Sequence, residues 1–489
     1  MKKIIAFLAS TLIAVSMMTS LNNEAIQAVM TVKSYAANSY EGKCGDNAAY
    51  KFDHNTGTLT VSGTGSIYDN YISDPGNELQ SNSQPVPWEE WKNLIKSVVI
   101  ENGITHIGDF SFSDCKSLNS VKLGNGVNDI GRNAFEGCTT LSNVDFSNSV
   151  KKIGGWAFMD CTALEEINLP SSVETIDRDA FFDTGITELV IPDTVKEIYR
   201  DAFADCDNLK SVKFPKHMEV LNRGLVAGCE NLTKVVFPEN VKTIGRELFS
   251  GCTSLTSISI PDTVTEIDFS AFEGCANLNN IEIPKSVKFI GEAAFYDTGY
   301  YNNQDNWNNE ALYLGDCLIR IKESVTGDYS VKDGTRVIAS KAFYESSVHS
   351  ITVPASVKNI GIIPFANCSK LNDVYFLGQK LDFISESFID EDATYTVFCF
   401  KDSDVYKYVT SNSITYKLLD ESANSKDNEG SASKSSAAEL PTEGKTDTAE
   451  KKAAITDSTK TIVCCVVAVS VVAIVVIVLV LKKRSKTTK

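Results

Sequence analysis

The stretch between positions 115 and 298 repeats itself every 23 residues, following the template L-x-x-I-x-I-P-x-x-V-x-x-I-G-x-x-A-F-x-x-C-x-x. The one irregular step, from Thr184 to Cys206, is 22 residues long. A fixed period of about 20 to 50 residues marks a chain of stacked units, none of which can bury its apolar side chains alone. The cysteine position of the template is filled by Cys115, Cys138, Cys161, Thr184, Cys206, Cys229, Cys252, Cys275 and Thr298.

Each copy predicts two short strands and a closing corner. In L-x-x-I-x-I, apolar and polar residues alternate as in a strand with one buried face, and the proline after it ends the strand because it has no amide proton to donate. The V-x-x-I pair predicts a return strand on the opposite wall, and the following glycine suits a tight corner. The sequence therefore predicts a mostly β repeat solenoid of about a dozen coils, capped at both ends, whose parallel strands lie about 4.8 Å apart.

Two positions of the corner are predicted to place their side chains inside the solenoid. The phenylalanine of the A-F pair is expected to stack from coil to coil, with Val226 in its place in one copy. A last position that accepts cysteine or threonine indicates a small, partly polar, buried side chain. We expect free thiols there rather than disulfides, because the side chains of stacked neighbours run parallel. The expected stack contains Phe135, Phe158, Phe181, Phe203, Phe249, Phe272 and Phe295.

This template resembles the BspA-like leucine-rich repeats of bacterial surface proteins. The resemblance covers residues 95–377, more than half of the chain, and its motif is highly specific. It implies a curved solenoid of leucine-rich coils with parallel strands on the concave side. It also implies a surface protein of the kind that attaches to host matrix proteins or to other bacteria.

The array has two ends and one interruption. Residues 38–94 contain two short strands and predict a hairpin cap, which stops the open edge of the first coil from pairing with another chain. Trp88 and Trp91 are interpreted as packing between this cap and the first coil. Coils at 95–298 and 337–377 flank an island at 299–336, which we interpret as an inserted hairpin. Residues 378–420 resemble a C-terminal cap.

Both termini carry sequences typical of export or of membrane anchoring. Residues 1–37 combine a basic start with an apolar run, which indicates a secretory signal peptide cleaved within 28–37; a retained N-terminal anchor is the alternative. Residues 461–481 are aliphatic and, as a helix of about 30 Å, would span a bilayer. The basic tail 482–489 is then cytoplasmic and the repeats are extracellular. Residues 421–460 lack aromatic side chains and predict a disordered stalk.

Sortase anchoring to a Gram-positive cell wall is the alternative to a retained membrane helix. That reaction requires L-P-x-T-G, whereas this chain has Leu440-Pro441-Thr442-Glu443-Gly444, with glutamate where the cleaved threonine should stand. The sequence therefore favours the membrane helix.

The composition gives no support to an enzyme. A net charge of −17 argues against nucleic acid as a partner, which would need a basic face. None of the four histidines lies in H-E-x-x-H or beside a paired carboxylate or a nucleophile motif. Cysteines 23 residues apart form a line rather than a C-x-x-C ligand set, so neither a metal site nor a cofactor is predicted.

The sequence is compatible with three functions. The first is a protein-binding adhesin that uses the exposed positions of the concave strands. The second is a carbohydrate-binding module built on the island, where Tyr300, Tyr301 and Trp307 stand among amide side chains. The third is a structural spacer without a specific ligand, since a fold does not fix a function. The candidate protein-binding residues are Glu166, Glu188, Val190, Lys213, Lys234, Val236 and Tyr375.

Overall fold

The computed structural model describes residues 40–70, 86–384, 387–389 and 393–420. Within these ranges the chain is a mostly β parallel solenoid of about 14 coils, slightly more than the dozen expected. The predicted signal peptide, stalk, membrane helix and basic tail lie outside the described residues. No helix in the described part of the chain is long and apolar enough to cross a membrane.

The described ranges contain short strands and four short helices. The N-terminal part has β1 Glu41–Lys43, β2 Asn47–Asp53, β3 Thr58–Ser66, the 3-10 helix η1 Glu89–Leu94, β4 Ser97–Ile100 and β5 Ile104–Ile107. The repeats form β6 Ser120–Lys122, β7 Asp129–Ile130, β8 Asn143–Asp145, β9 Lys152–Ile153, β10 Thr175–Ile176, β11 Glu188–Val190, β12 Glu197–Ile198, β13 Ser211–Lys213, β14 Val220–Leu221, β15 Lys234–Val236, β16 Thr243–Ile244, β17 Ser257–Ser259, β18 Glu266–Ile267, β19 Asn280–Glu282 and β20 Phe289–Ile290. The remainder forms α1 Gly299–Asn302, the 3-10 helix η2 Gln304–Asn306, β21 Trp307–Asn308, β22 Ala311–Leu314, β23 Cys317–Ile321, β24 Thr326–Ser330, β25 Val337–Ile338, β26 Ser347–Val353, β27 Asn359–Ile360, β28 Asp373–Phe376, β29 Phe383–Ile384, β30 Thr396–Cys399, α2 Asp404–Ser411 and β31 Tyr416–Leu418.

Coils of the array contribute strands to two walls. The first wall, built from the L-x-x-I-x-I segments, contains the sheets β3–β4–β6–β8, β11–β13–β15 and β17–β19. The second wall, built from the V-x-x-I segments, contains β3–β5–β7–β9–β10–β12 and β14–β16–β18–β20. Strands of successive coils pair in parallel, so that Ser120 lies opposite Asn143, which confirms the predicted parallel arrangement.

The island leads into a second set of sheets. β22 and β23 form an antiparallel hairpin, and β23 then pairs in parallel with β25 to begin the sheet β23–β25–β27–β29. β24 begins the opposite sheet, β24–β26–β28–β30–β31. Helix α2 lies beside its end, where the Ser403 hydroxyl caps the helix by accepting from the Tyr406 amide.

Aromatic rings form the predicted internal stack. Ring centroids of neighbouring coils lie 5.2 to 5.5 Å apart, with ring planes within 14° of parallel. Trp88 begins the stack, 5.2 Å from the Phe112 ring, and its indole N–H donates to the Ser111 carbonyl. The interpretation of Trp88 as cap-to-coil packing is therefore confirmed. Offset parallel rings at this spacing add to the burial of a large apolar surface.

The corners stack through their backbone as well. In the corner at 131–138, the amides of Asn133, Phe135 and Gly137 donate to carbonyls of the following coil at 2.8 to 3.0 Å. Asn133 and Gly137 have φ values of 54° and 67°, a left-handed conformation that favours asparagine, aspartate and glycine. Three alternate amides of each regular corner are thus satisfied by the next coil.

The glycine that follows several second-wall strands has a different role from the one expected. Gly131, Gly154, Gly245, Gly291 and Gly361 are not in the left-handed region, so the corner does not require their conformational freedom. A Cβ at Gly245 would lie 2.1 Å from the Leu221 carbonyl oxygen of the preceding coil. In these coils the adjacent backbones approach too closely for a side chain, whereas Asp177, Tyr199, Asn222 and Asp268 fill the same position in other coils.

The cysteine ladder is a row of buried thiols, as predicted. All described cysteines are free, and every one except Cys368 is buried. Cys161 Sγ donates to the Phe135 carbonyl of the preceding coil at 3.2 Å, and the same contact recurs along the ladder. Burial raises the pKa of the Cys138 thiol to about 12, so this donor stays protonated at neutral pH. Threonine fits the same position because its hydroxyl also donates to a carbonyl, in this case one of its own coil: Thr184 donates to Phe181 and Thr298 to Phe295.

A histidine joins the N-terminal cap to the first coils. His106 Nε2 lies 3.0 Å from Asp69 Oδ1, and Nδ1 lies 2.8 Å from Asp129 Oδ2. Because both partners are carboxylates, the two ring nitrogens both donate only when the imidazole is charged. Burial opposes that charge, but the hydrogen bonds to Asp129 and Asp69 outweigh it and raise the pKa of His106 to about 9.

The carbonyl contact of the ladder can be tested with two nearly isosteric replacements. We expect Cys161→Val to be less stable than Cys161→Thr by about 1 kcal/mol, because threonine can donate its hydroxyl to the Phe158 carbonyl, as Thr184 does to the Phe181 carbonyl, whereas valine has no donor. The comparison is made between the urea midpoints of the two variants. Equal midpoints would show that the position selects for size alone.

The histidine contact predicts a pH-dependent contribution to stability. The folded pKa of about 9 lies above the unfolded value of 6.5, so the contribution is complete below about pH 6.5 and is lost as the pH rises through 9. We expect the stability advantage of the native chain over His106→Gln to fall by about 1 to 3 kcal/mol between pH 6 and pH 10. A pH-independent difference between the two unfolding curves would contradict this assignment.

Candidate recognition surface on the first wall

Five of the seven predicted protein-binding residues lie side by side on one sheet. The sheet β11–β13–β15 pairs Glu188 with Ser211 and Ser211 with Lys234, which forms one outward row. A second row, two residues further along each strand, is formed in the same register. It consists of Val190, Lys213 and Val236. We call Glu188, Val190, Lys213, Lys234 and Val236 together the first-wall patch.

The patch exposes apolar side chains that a folded chain normally covers. Val190 is 61% exposed and Val236 is 40% exposed, while Leu189 between the outward positions of β11 is buried. Lys213 lies between the two valines in register. Exposed apolar groups flanked by charge are the composition of a surface that can gain free energy by being covered.

The strand ladder of the first wall is interrupted beside this patch. Residues 166–168 occupy the position of a first-wall strand but pair neither with β8 nor with β11. A cleft of about 620 Å³ opens there, lined by Glu165, Glu166, Glu188, Val190 and Lys210, among others. Glu166, a sixth predicted residue, therefore lies at the edge of the patch. The surface is acidic at the cleft and basic at β13 and β15.

The interruption coincides with the one irregular spacing in the sequence. Cys161 and Glu166 are five positions apart, as are Cys206 and Ser211, but Thr184 and Glu188 are only four apart. The missing residue is in the corner that leads into β11. The shortened step was visible in the sequence, whereas the cleft beside it was not expected.

Tyr375 does not belong to this surface. It lies on β28, in the sheet that begins at β24, and its ring stacks on Phe398 with centroids 4.4 Å apart. The island separates the two sets of first-wall strands, so Tyr375 lies apart from the other six candidate residues.

The aromatic residues of the island pack against the array. Tyr300 and Trp307 contact the main core, the Tyr300 hydroxyl donates to the Tyr313 carbonyl, and the Trp307 indole donates to the Tyr301 carbonyl. Their polar atoms are therefore used within the island itself. Tyr301 differs from them, since its ring also lines a cleft between the island and the last regular corner.

The described histidines lack the partners of a hydrolase. His54 packs edge-on against Tyr40, His106 bonds to carboxylates, and His217 and His349 are exposed. Asp69, His106 and Asp109 offer ligand atoms within 4.8 Å of one another, close enough for a cation by distance. Both ring nitrogens of His106 already contact carboxylates, however, and the Asp109 amide also donates to Asp69. These contacts form an ion-pair clamp between cap and coil.

Comparison with solved structures returns repeat proteins of bacteria. One is a leucine-rich repeat protein from Eubacterium ventriosum, 20% identical, with a TM-score of 0.41, covering 78% of this chain and 84% of that chain. Another is the leucine-rich repeat protein of T. pallidum, 28% identical, with a TM-score of 0.33, covering 42% and 86%. A third is a leucine-rich cell surface protein from Faecalibacterium prausnitzii, 20% identical, with a TM-score of 0.33, covering 68% and 94%. A search of the curated proteins finds no match to this chain.

The family comparison agrees with the repeat template. The family model of the BspA type leucine-rich repeat region matches six copies, over residues 90–210, 175–302 and 326–417. These stretches take in more than half of the 489 residues. This chain therefore belongs to the BspA-type leucine-rich repeat family.

Proposed function

We propose that this protein is an adhesin of the bacterial cell surface that binds an extracellular protein through the first-wall patch. The observation that carries the proposal is the exposure of Val190 and Val236 in register on one sheet, with Lys213 between them. The basic start and apolar run of residues 1–37, typical of an exported protein, support the location. A leucine-rich solenoid is a scaffold for non-catalytic binding, so no reaction is proposed.

The charges of the surface suit a partner of mixed charge. Glu165, Glu166 and Glu188 line the cleft, and Lys213 and Lys234 lie on the neighbouring strands. Complementary charge at such a rim guides association and orientation, while covered apolar side chains supply most of the affinity. We therefore place the affinity on the valines and the orientation on the charged residues.

Membrane anchoring by residues 461–481 is part of the same proposal. The apolar run and the basic tail 482–489 support a helix whose C-terminal end is cytoplasmic, with the repeats outside the cell. The stalk at 421–460 would hold the solenoid away from the membrane.

The binding proposal predicts a loss of affinity when the patch is charged. We screen the full-length chain, in detergent micelles, against a panel of purified host matrix proteins. For a protein that binds saturably, the double variant Val190→Asp, Val236→Asp should lose at least about tenfold in affinity, because covering the patch would then desolvate two carboxylates.

A matched control separates this site from a general effect of surface charge. Val220 is 48% exposed on β14, in the second wall, and Val220→Asp should bind like the native chain. Equal affinity of the double variant and the native chain would exclude the first-wall patch. Failure of the folded native chain to bind any panel protein would favour the structural spacer.

The anchoring proposal predicts where the chain is found in the cell. We expect the full-length chain to remain in membranes washed with alkaline carbonate and to be released by detergent, and a chain ending at residue 460 to appear in the medium. Pro441→Ala, which removes a fixed residue of the L-P-x-T-G signal, should change neither result. Retention in the detergent-extracted wall, with release by the variant, would instead establish sortase anchoring.

A further inference from the structure

In the last regular corner before the island, three backbone amides lack, within the described part of the chain, the hydrogen-bond acceptors that the equivalent amides have in the corners before it. In the preceding corner the amides of Ser270, Phe272 and Gly274 donate to the following coil at 2.9 to 3.0 Å. The equivalent amides in the next corner belong to Ala293, Phe295 and Asp297. The chain turns there into α1 instead of forming another corner, and among the described residues these three amides have no hydrogen-bond acceptor.

A cleft of about 330 Å³ faces this corner. One side is the corner itself, from Gly291 to Tyr296, and the other side carries Arg320 and Tyr344 from the island and the coil after it. The volume is at the lower end of the range of about 300 to 1,000 Å³ that small-ligand sites occupy. The cleft therefore fits one or two sugar rings better than a protein segment.

The rim of the cleft is aromatic and partly free. Tyr296 is 45% exposed, and its ring centroid lies 4.9 Å from that of Tyr301, at an angle of 54°. Tyr344 is half-buried, with the Arg320 guanidinium 5.2 Å from its ring. Tyr296 thus offers a ring that protein atoms do not fully cover.

The charges around the cleft are largely paired. Lys341 Nζ lies 2.8 Å from Glu292 Oε2, and Arg320 Nη2 lies 3.8 Å from Glu323 Oε1. Glu273 adds one more carboxylate to the lining. A small anion would meet these carboxylates, and a small cation would meet the unpartnered amides and the guanidinium. A neutral ligand that both donates and accepts hydrogen bonds avoids both conflicts.

We propose that this cleft binds one or two neutral sugar residues of an extracellular polysaccharide. Sugar oxygens accept from the amides of Ala293 and Phe295, and sugar hydroxyls donate to Glu323 and Glu292. The apolar face of a sugar ring packs on Tyr296. The ligand thereby supplies two of the three acceptors that another coil would have supplied.

This site is separate from the first-wall patch and goes beyond the adhesin function proposed above. It also relocates the carbohydrate hypothesis. Of the three island residues first considered, Tyr301 lines the cleft, while Tyr300 and Trp307 use their polar atoms within the island.

The test uses the full-length chain in a detergent without a sugar headgroup, since a glycoside detergent would compete. The probe is an array of neutral oligosaccharides of hexoses and N-acetylhexosamines, with acidic oligosaccharides on the same array. We expect saturable binding to neutral members, reduced at least about tenfold by Tyr296→Ala and, separately, by Glu323→Gln. Glu323 has an exposed side chain, so Glu323→Gln keeps the test valid if Tyr296→Ala does not fold.

The matched control is Tyr199→Ala. Tyr199 is also 45% exposed but follows β12 in the second wall, so this variant should bind the array like the native chain. Absence of binding by the folded native chain, binding only to acidic members, or binding unchanged in both cleft variants would each overturn the proposal.

Discussion

The solenoid depends on the contact between one coil and the next. A coil of about 23 residues cannot satisfy its own backbone or bury its own apolar side chains. Its neighbours supply parallel strand pairs on two walls, acceptors for three corner amides, and a ring for its phenylalanine to stack on. The thiol of Cys161 adds a bond to the Phe135 carbonyl of the previous coil. The 23-residue period is preserved because each of these contacts requires the same register.

The two surfaces with a proposed role are both places where this stacking fails. On the first wall, residues 166–168 lack strand partners, and an acidic cleft opens beside exposed Val190. At the island, the 293–297 corner lacks a following corner, and Ala293 and Phe295, whose amides lack acceptors among the described residues, line a cleft with Tyr296 and Arg320. In a regular array the polar groups of the backbone are used internally, so an interruption is where the backbone itself becomes available to a ligand.

The candidate site was predictable only in part. Strand alternation identified Glu188, Val190, Lys213, Lys234 and Val236 as outward positions, and their register places them together on one sheet. Alternation did not show that Tyr375 lies apart from the others, because it gives the side of a strand but not which sheet the strand joins. The template also suggested the wrong reason for its glycine. Both a tight turn and a close approach between two backbones favour glycine, and only the structure of the stacked coils shows which of the two applies here.

The sequence by itself determined the period, the parallel strands, the ring stack and the buried thiols, because each follows from one short pattern repeated at a constant spacing. It also located the irregular step between Thr184 and Glu188 and the island at 299–336. The tertiary structure alone decided how the chain responds to those irregularities. Which amides lose their acceptors, and which rings border the resulting clefts, depends on how two coils meet across a break. That packing between distant segments has no counterpart in the local pattern of either one.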